Sequence, residues 1–146
     1  MKKILFLLTV LFNIAQASPT ISPELKHILT ESKLIVPSMS AEETLVLMKN
    51  KNVILIDVRE TEEWAKGVIK TPQLIKIQRG WLEIKYPKLI LKQYSKNDTF
   101  IVYCGIEPRS ILAAHRLKDL GFSNVAYLKG GIKNWKKQNY PLVTSK

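Results

Sequence analysis

Two uninterrupted apolar segments constrain the fold of this chain more than any other feature. Residues 53–57 read VILID and residues 99–103 read TFIVY, so both are apolar almost throughout rather than at every second position. A strand with one buried face alternates between apolar and polar residues, and a continuous apolar run indicates a strand covered on both faces. The sequence therefore predicts at least two strands in the middle of a layered domain.

The remaining segments continue a pattern in which strands and helices alternate. We predict further strands at residues 74–77 and 124–128, and helices at residues 22–33, 40–48, 62–66, 110–120 and 132–138, with Pro87 ending a helical turn that follows residues 79–83. Alternation with these lengths requires crossover connections, which give a mostly parallel sheet with helices on both faces. The predicted fold class is α/β.

The first residues have the pattern of an export signal. Met1-Lys2-Lys3 is basic, residues 4–15 are almost uninterruptedly apolar, and Ala15-Gln16-Ala17 offers a site of the small-x-small type. An uncleaved membrane anchor is the alternative, but about 20 apolar residues are needed to span a bilayer. We expect a signal peptide at 1–17, an N-terminal extension with a helix at 18–37, and a domain at 38–143. The mature protein is then periplasmic or secreted, with no stable membrane anchor.

Composition and charge limit the classes of function. One Cys and 2 His exclude an internal disulfide and leave too few ligands for a structural Cys/His metal site. The net charge is +11, and most of the 23 Lys and Arg follow residue 63. Such a charge attracts small anions or an acidic partner. The lysines are scattered and no recognition motif accompanies them, so we expect no nucleic-acid partner.

The single cysteine lies where parallel-sheet proteins bind ligands. Cys104 follows a buried strand, and a short loop leads from it directly into a helix. The backbone N–H groups of this segment can surround one point, and Pro108 is the residue without one. The others belong to Gly105, Ile106, Glu107, Arg109 and Ser110. We interpret Cys104 as a nucleophile whose thiolate these groups stabilise, with the Arg109 guanidinium at the rim.

Several motifs together resemble the rhodanese, or thiosulfate sulfurtransferase, domain. They are Asp57-Val58-Arg59-Glu60 after a strand, Cys104 followed after four residues by Arg109-Ser110, Tyr127-Leu128-Lys129-Gly130-Gly131-Ile132, Trp135, and Tyr140-Pro141-Leu142. The resemblance covers residues 38–143, and Arg79-Gly80-Trp81-Leu82-Glu83 is similar to a segment of one subgroup. It implies a five-stranded parallel sheet with flanking helices.

The resemblance also implies a reaction. Cys104 would accept sulfur from a small anionic donor such as thiosulfate and pass it from a persulfide to a thiol or to cyanide, with Arg109 helping to bind the donor. It implies no metal and no organic cofactor. Two segments depart from the family pattern: Val68-Ile69-Lys70-Thr71-Pro72 replaces a His-Ile-Pro-Gly-Ala stretch, and Glu107 stands where many members have Gly. A carboxylate at position 107 would oppose a thiolate unless its side chain points outward.

Two other interpretations of the cysteine remain open. One is a rhodanese-like binding module whose cysteine is incidental. The other is a cysteine-dependent phosphatase or arsenate reductase, which also uses a thiolate in an anion-binding loop with Arg. The phosphatase loops usually have five residues between Cys and Arg, whereas this chain has four.

We expect the polar and aromatic residues outside the cysteine loop to stabilise the fold rather than to take part in the reaction. We expect hydrogen bonds from Asp57 and Arg59 to fix a loop rather than to take part in catalysis. His115 lies too far along its helix to form a dyad with Cys104. Three tryptophans are expected to anchor the core or its rim, namely Trp64, Trp81 and Trp135.

Overall fold

A five-stranded parallel sheet forms the centre of the molecule. The computed structural model describes residues 21–50 and 53–144. Its strands are β1 (Ser38–Met39), β2 (Ile54–Asp57), β4 (Leu74–Lys76), β5 (Thr99–Tyr103) and β6 (Asn124–Leu128). They lie in the order β1-β6-β5-β2-β4, with every neighbouring pair parallel. A separate antiparallel pair joins β3 (Val68–Ile69) to β7 (Leu142–Val143). The predicted parallel sheet is confirmed.

One helix precedes the first strand, and the other helices lie in connections between strands. The helices are α1 (Pro23–Ile35), α2 (Ala41–Lys49), α3 (Thr61–Ala65), α4 (Leu82–Leu89), α5 (Pro108–Asp119) and α6 (Gly131–Lys137), with a 3₁₀ turn at Arg79–Trp81 before α4. Each predicted helix is present. The Ser40 capping box is also present, since the Ser40 hydroxyl accepts from the Glu43 N–H and the Glu43 carboxylate accepts from the Ser40 N–H.

Pro87 does not end a helical turn, and that prediction is wrong. It lies inside α4, two residues before Leu89. Proline removes one backbone donor, whose partner in a helix is the carbonyl four residues earlier. At position 87 that carbonyl belongs to Glu83 in the first turn of α4. Pro87 is exposed, so water can reach this part of the helix.

The two faces of the sheet have separate apolar cores, as a doubly covered sheet requires. One core contains residues of α1, α4 and α5 packed against Ile54, Ile56, Phe100, Val102 and Cys104. The other contains residues of α2 and α6 packed against Leu55, Ile101 and Tyr103. Residues within one strand thus alternate between the two cores, which explains the continuous apolar runs in the sequence. Helices on both faces are therefore confirmed.

The helix of the predicted N-terminal extension packs on the domain. Ser22 caps it by accepting from the Leu25 N–H, and Leu29 enters the first core. Its Ser32 hydroxyl lies 3.0 Å from His115 Nδ1 on α5. The predicted signal peptide, by contrast, lies outside the described residues. Among those that the structure describes, no helix is long and apolar enough to cross a membrane.

Candidate active site

Cys104 lies at the carboxyl edge of the sheet, directly after β5. Its side chain belongs to the first core, which contains residues of α1, α4 and α5, and only 1% of the residue is exposed. The neighbouring strand β2 ends at the same edge, since Asp57 pairs with Tyr103. The thiol therefore lies at the base of the loop that connects β5 to α5. The segment that follows β2 begins at the same edge of the sheet.

The carbonyl groups of the loop are tied to α6. The Ile132 N–H donates to the Cys104 carbonyl at 2.9 Å, and the Lys133 N–H donates to the Gly105 carbonyl at 3.1 Å. All described peptide bonds are trans, so each carbonyl points away from the N–H of the next residue. The N–H groups of Gly105 and Ile106 are consequently turned away from α6.

These loop N–H groups are available to a ligand. No group in the described residues accepts from the N–H of Gly105, Ile106 or Glu107. The first N–H groups of α5 extend the same array, because a helix start leaves its donors without intrahelical partners. The predicted arrangement of backbone donors around Cys104 is thus compatible with the fold.

Gly131 allows α6 to approach the loop this closely. A Cβ at this position would lie 2.4 Å from the Ile106 carbonyl oxygen and 2.7 Å from that of Cys104. Its φ of 56° is also in the left-handed region that favours glycine. In the sequence this glycine belongs to a motif that gives it no specific role, and only the contact between distant segments reveals one.

Ser110 contacts the thiol directly. Its Oγ lies 3.6 Å from Cys104 Sγ and 2.8 Å from the Glu107 carbonyl oxygen. The serine hydroxyl donates to that carbonyl, and the thiol donates to the serine oxygen. Both side chains are buried. The hydroxyl would have to rotate to donate to a thiolate or persulfide, so Ser110 can follow the charge on the sulfur.

Glu107 turns its carboxylate outward, away from the loop. Oε1 accepts from the Gly130 N–H at 2.8 Å, and Oε2 lies 3.6 Å from Lys33 Nζ on α1. The negative charge is therefore balanced by a backbone donor and a lysine. A carboxylate at position 107 opposes a thiolate unless its side chain points outward, and the Glu107 side chain does point outward.

Arg109 is held by carboxylates rather than left free at the rim. Its guanidinium donates to both oxygens of Glu63, at 2.6 and 2.9 Å, and lies 3.8 Å from Glu60. Hydrogen bonds from Arg109 lower the pKa of Glu63, although partial burial opposes the shift. A Cβ on Gly105 would be 3.4 Å from this guanidinium, so the ion pair lies against the loop.

Sequence reasoning missed Glu63 as a partner of the site. No local signal identified it, because Glu63 lies one helical turn beyond Glu60 in a helix that starts four residues after Asp57, like any other glutamate of such a helix. Its pairing with Arg109, 46 residues away, depends on the neighbouring positions of β2 and β5 in the sheet.

Asp57 and Arg59 make loop-fixing hydrogen bonds, as predicted, and they do so as a buried ion pair. Arg59 donates through Nε and Nη2 to the Asp57 carboxylate, with a shortest distance of 2.7 Å, and its other donors reach the carbonyls of Glu63 and Gly67. The arginine thereby fixes the segment from β2 to β3. Burial raises the pKa of Tyr103, and the negative charge of Asp57 raises it further.

The remaining predicted residues lie where a structural role places them. His115 bonds to Ser32 and faces Asp119, so it is not a partner of the thiol. Trp135 is fully buried, and Trp81 is exposed at the rim with Lys85 over its ring. Within residues 21–50 and 53–144, no group of three His, Cys, Asp or Glu side chains could hold a metal ion.

A parallel sheet with a buried cysteine before a donor-rich loop defines the class of this domain. The profile of the Rhodanese-like domain matches residues 40–138 of the chain. The chain belongs to this family.

Known relatives include proteins named as sulfurtransferases. A sulfurtransferase from Allochromatium vinosum is 28% identical over 66% of this chain and 84% of its own length. A probable adenylyltransferase/sulfurtransferase from Mycobacterium tuberculosis is 35% identical over 65% of this chain, which spans only 23% of that protein. A solved structure from Rhodopseudomonas palustris, of unknown function and described as a possible tyrosine phosphatase, has a TM-score of 0.73 at 27% identity, over 87% of this chain and 99% of its own. The family and the named relatives support sulfur transfer in general.

Proposed function

We propose that this protein is a sulfurtransferase that carries sulfane sulfur as a persulfide on Cys104. The observation that carries the proposal is the orientation of the loop, whose Cys104 and Gly105 carbonyls are held by α6 while the next two N–H groups face away from α6 and have no partner among the described residues. Backbone donors fixed in this way stabilise negative charge on sulfur without reorganising during the reaction. Thiosulfate is the proposed donor, and a thiol or cyanide is the proposed acceptor.

The reaction consists of two displacements at sulfur. The Cys104 thiolate attacks the outer sulfur of thiosulfate, the sulfur–sulfur bond of the donor breaks, and sulfite leaves with the bonding electron pair. The acceptor then attacks the terminal sulfur of the persulfide, and the Cys104 thiolate leaves. Sulfur is neither gained nor lost, and no external oxidant or reductant is needed.

Each residue of the site has a defined task in this scheme. We assign to the N–H groups of Gly105, Ile106, Glu107, Arg109 and Ser110 the task of donating to the charged sulfur. Ser110 adds a hydroxyl that can turn from the Glu107 carbonyl towards the sulfur. Arg109 adds positive potential at the rim, although its pairing with Glu63 reduces its attraction for a dianion.

Burial of the thiol is part of the same proposal. With Cys104 only 1% exposed, a donor must approach along the opening of the loop. A buried thiol is also shielded from chance oxidation, which matters in the oxidising compartment that follows from the proposed export of the chain.

Mass spectrometry of the purified protein after incubation with thiosulfate tests the proposal. We expect Cys104 to gain one sulfur atom and to lose it on addition of cyanide with formation of thiocyanate. The Cys104→Ser variant should form neither product. Serine cannot form the persulfide but keeps nearly the same size, so it is a matched control.

A parallel assay with p-nitrophenyl phosphate distinguishes the phosphatase interpretation. Phosphate release that disappears in Cys104→Ser, together with no sulfur gain from thiosulfate or polysulfide, would contradict sulfur transfer. Absence of both reactions would favour a binding module with an incidental cysteine.

A further inference from the structure

Helix α6 carries a group of exposed cations beside the cysteine loop. Lys133, Lys136 and Lys137 are exposed, and Lys66 lies across a cleft from the first two. Ile106, at the tip of the loop, is 54% exposed. We call these four lysines together with Ile106 the α6 lysine surface.

Two clefts connect this surface to the site. One, of about 640 Å³, is lined by Ile106, Lys133, Lys136 and Lys137. The other, of about 340 Å³, is lined by Lys66, Lys133, Lys136 and by Glu63, the partner of Arg109. Lys133 also donates its backbone N–H to the Gly105 carbonyl. The α6 lysine surface therefore begins at the loop that holds Cys104.

The charge of this surface is not balanced within the domain. In the described part of the chain, none of its four lysines has a carboxylate within 4.0 Å. Arg59, Arg79, Arg109 and Arg116, by contrast, each pair with a carboxylate. Like charges placed together repel one another, and an oppositely charged partner relieves that repulsion.

We propose that the α6 lysine surface docks an acidic protein segment that presents a cysteine thiol to Cys104 as the sulfur acceptor. This inference rests on the proposed function and names the substrate class of its second step. The acceptor thiolate attacks the terminal persulfide sulfur, the bond between that sulfur and Cys104 Sγ breaks, and Cys104 leaves as a thiolate. The partner cysteine becomes the persulfide.

The dimensions of the surface fit a peptide better than a small oxyanion. Lys133 and Lys137 are separated along the helix by about 6 Å, and with Lys136 they lie on one face. A dianion such as thiosulfate can contact only part of this array and gains nothing from Ile106. A segment with several carboxylates and one apolar side chain can pair with the lysines and bury Ile106 together with the aliphatic stems around it.

Sulfur transfer to designed peptides tests the proposal. The probe is a ten-residue peptide with one Cys, one Leu and four Glu, and its matched control has Gln in place of Glu. Starting from the thiosulfate-loaded protein, we expect the Glu peptide to react about tenfold faster than the Gln peptide at low salt. The difference should shrink at 0.5 M salt because the charges are exposed and screened.

Matched charge reversals locate the effect. Lys133→Glu/Lys136→Glu should reduce the ratio of the two peptide rates to about one. Lys88→Glu/Lys92→Glu changes the net charge by the same amount elsewhere, at and after the end of α4, and should keep the preference. Should the reversal fail to fold, Lys133→Gln/Lys136→Gln is expected to show a smaller loss in the same direction. Equal peptide rates in the unmodified protein, or equal losses in both double variants, would overturn the proposal.

A binding measurement separates this proposal from the sulfur chemistry. Fluorescence anisotropy with the Cys104→Ser protein uses the Glu peptide carrying Ser in place of its Cys. Salt-sensitive binding that Lys133→Glu/Lys136→Glu weakens about tenfold would support peptide docking at the α6 lysine surface. If such binding were found but Cys104 never formed a persulfide, the proposed function alone would be refuted. Displacement of the peptide by a single-stranded RNA oligonucleotide that binds more tightly would assign the surface to nucleic acid and overturn the proposal.

Discussion

Replacement of Gly131 by alanine is expected to damage the cysteine loop through the backbone. The new Cβ would lie 2.4 Å from the Ile106 carbonyl oxygen, 2.7 Å from that of Cys104 and 2.9 Å from the Gly105 carbonyl carbon. All three are main-chain atoms, so no side chain can rotate to make room. Relief requires α6 and the loop to separate, which breaks the hydrogen bonds that turn the loop carbonyls outward.

The expected loss of stability has two parts. A non-glycine residue in the left-handed region costs about 1–3 kcal/mol. Overpacking in a site that cannot relax adds about 1–3 kcal/mol. The free energy of unfolding should therefore fall by about 2–6 kcal/mol, a large share of the about 5–15 kcal/mol typical of a small domain.

Gly121→Ala is the matched control. Gly121 also has a positive φ, of 87°, but an added Cβ there would meet only the Lys96 side chain, at 3.6 Å. Gly121→Ala should therefore lower the free energy of unfolding only by the backbone contribution of about 1–3 kcal/mol. Urea unfolding followed by tryptophan fluorescence gives both free energies, and persulfide formation is then measured where both variants are folded. Equal destabilisation of the two variants, with unimpaired persulfide formation in Gly131→Ala, would refute the reasoning.

Three further predictions concern charge and processing. Asp57→Asn should lower the free energy of unfolding by about 3–5 kcal/mol because it leaves Arg59 buried without its counter-charge. Glu83→Gln, which weakens partly exposed pairs with Arg79 and Arg116, should cost under about 1 kcal/mol, and equal urea midpoints for the two variants would contradict this. The pKa of Glu63 is lowered by its pairing with Arg109, so this pairing stabilises the fold fully at pH values above the ordinary pKa of glutamate. The stabilisation is lost as the pH falls through the lowered pKa. The difference in free energy of unfolding between the unmodified protein and Glu63→Gln should therefore be largest near pH 7 and shrink below about pH 4. A pH-independent difference in urea unfolding would count against that assignment. Expression in an export-competent bacterium should give a chain that begins at Ser18 by intact mass, while a retained Met1 would exclude cleavage at the expected site.

The central sheet was predictable because each buried strand is a long enough signal by itself. The runs that become β2 and β5 are apolar on both faces, and the helices between strands have caps and periodicity. The strands that the sequence analysis missed are β1, β3 and β7, each of two residues. Two residues show no periodicity, and their pairing depends on partners far along the chain, such as Tyr127 and Leu128 for β1.

In the candidate site too, features set by adjacent residues were predictable from the sequence, and contacts between distant segments were not. The position of Cys104 before a helix start follows from adjacent residues, so sequence reasoning could place the proposed nucleophile beside the loop and the first turn of α5. The pairing of Arg109 with Glu63 and the contact of Gly131 with the loop join segments 46 and 25 or more residues apart. Such contacts exist only once the strand order is known, and a local pattern could not reveal them.

Glu107 shows how strongly the effect of a residue depends on these distant contacts. As a sequence feature it opposes a charged sulfur three residues away. In the fold its carboxylate accepts from the Gly130 N–H and faces Lys33. Lys33 belongs to α1, which precedes the residues that match the family profile, and α1 packs on α5. The negative charge thus helps to connect the cysteine loop to α6 on one side and to α1 on the other. A departure from the family pattern at position 107 is tolerated here because the rest of the chain supplies partners that keep its carboxylate directed away from the thiol.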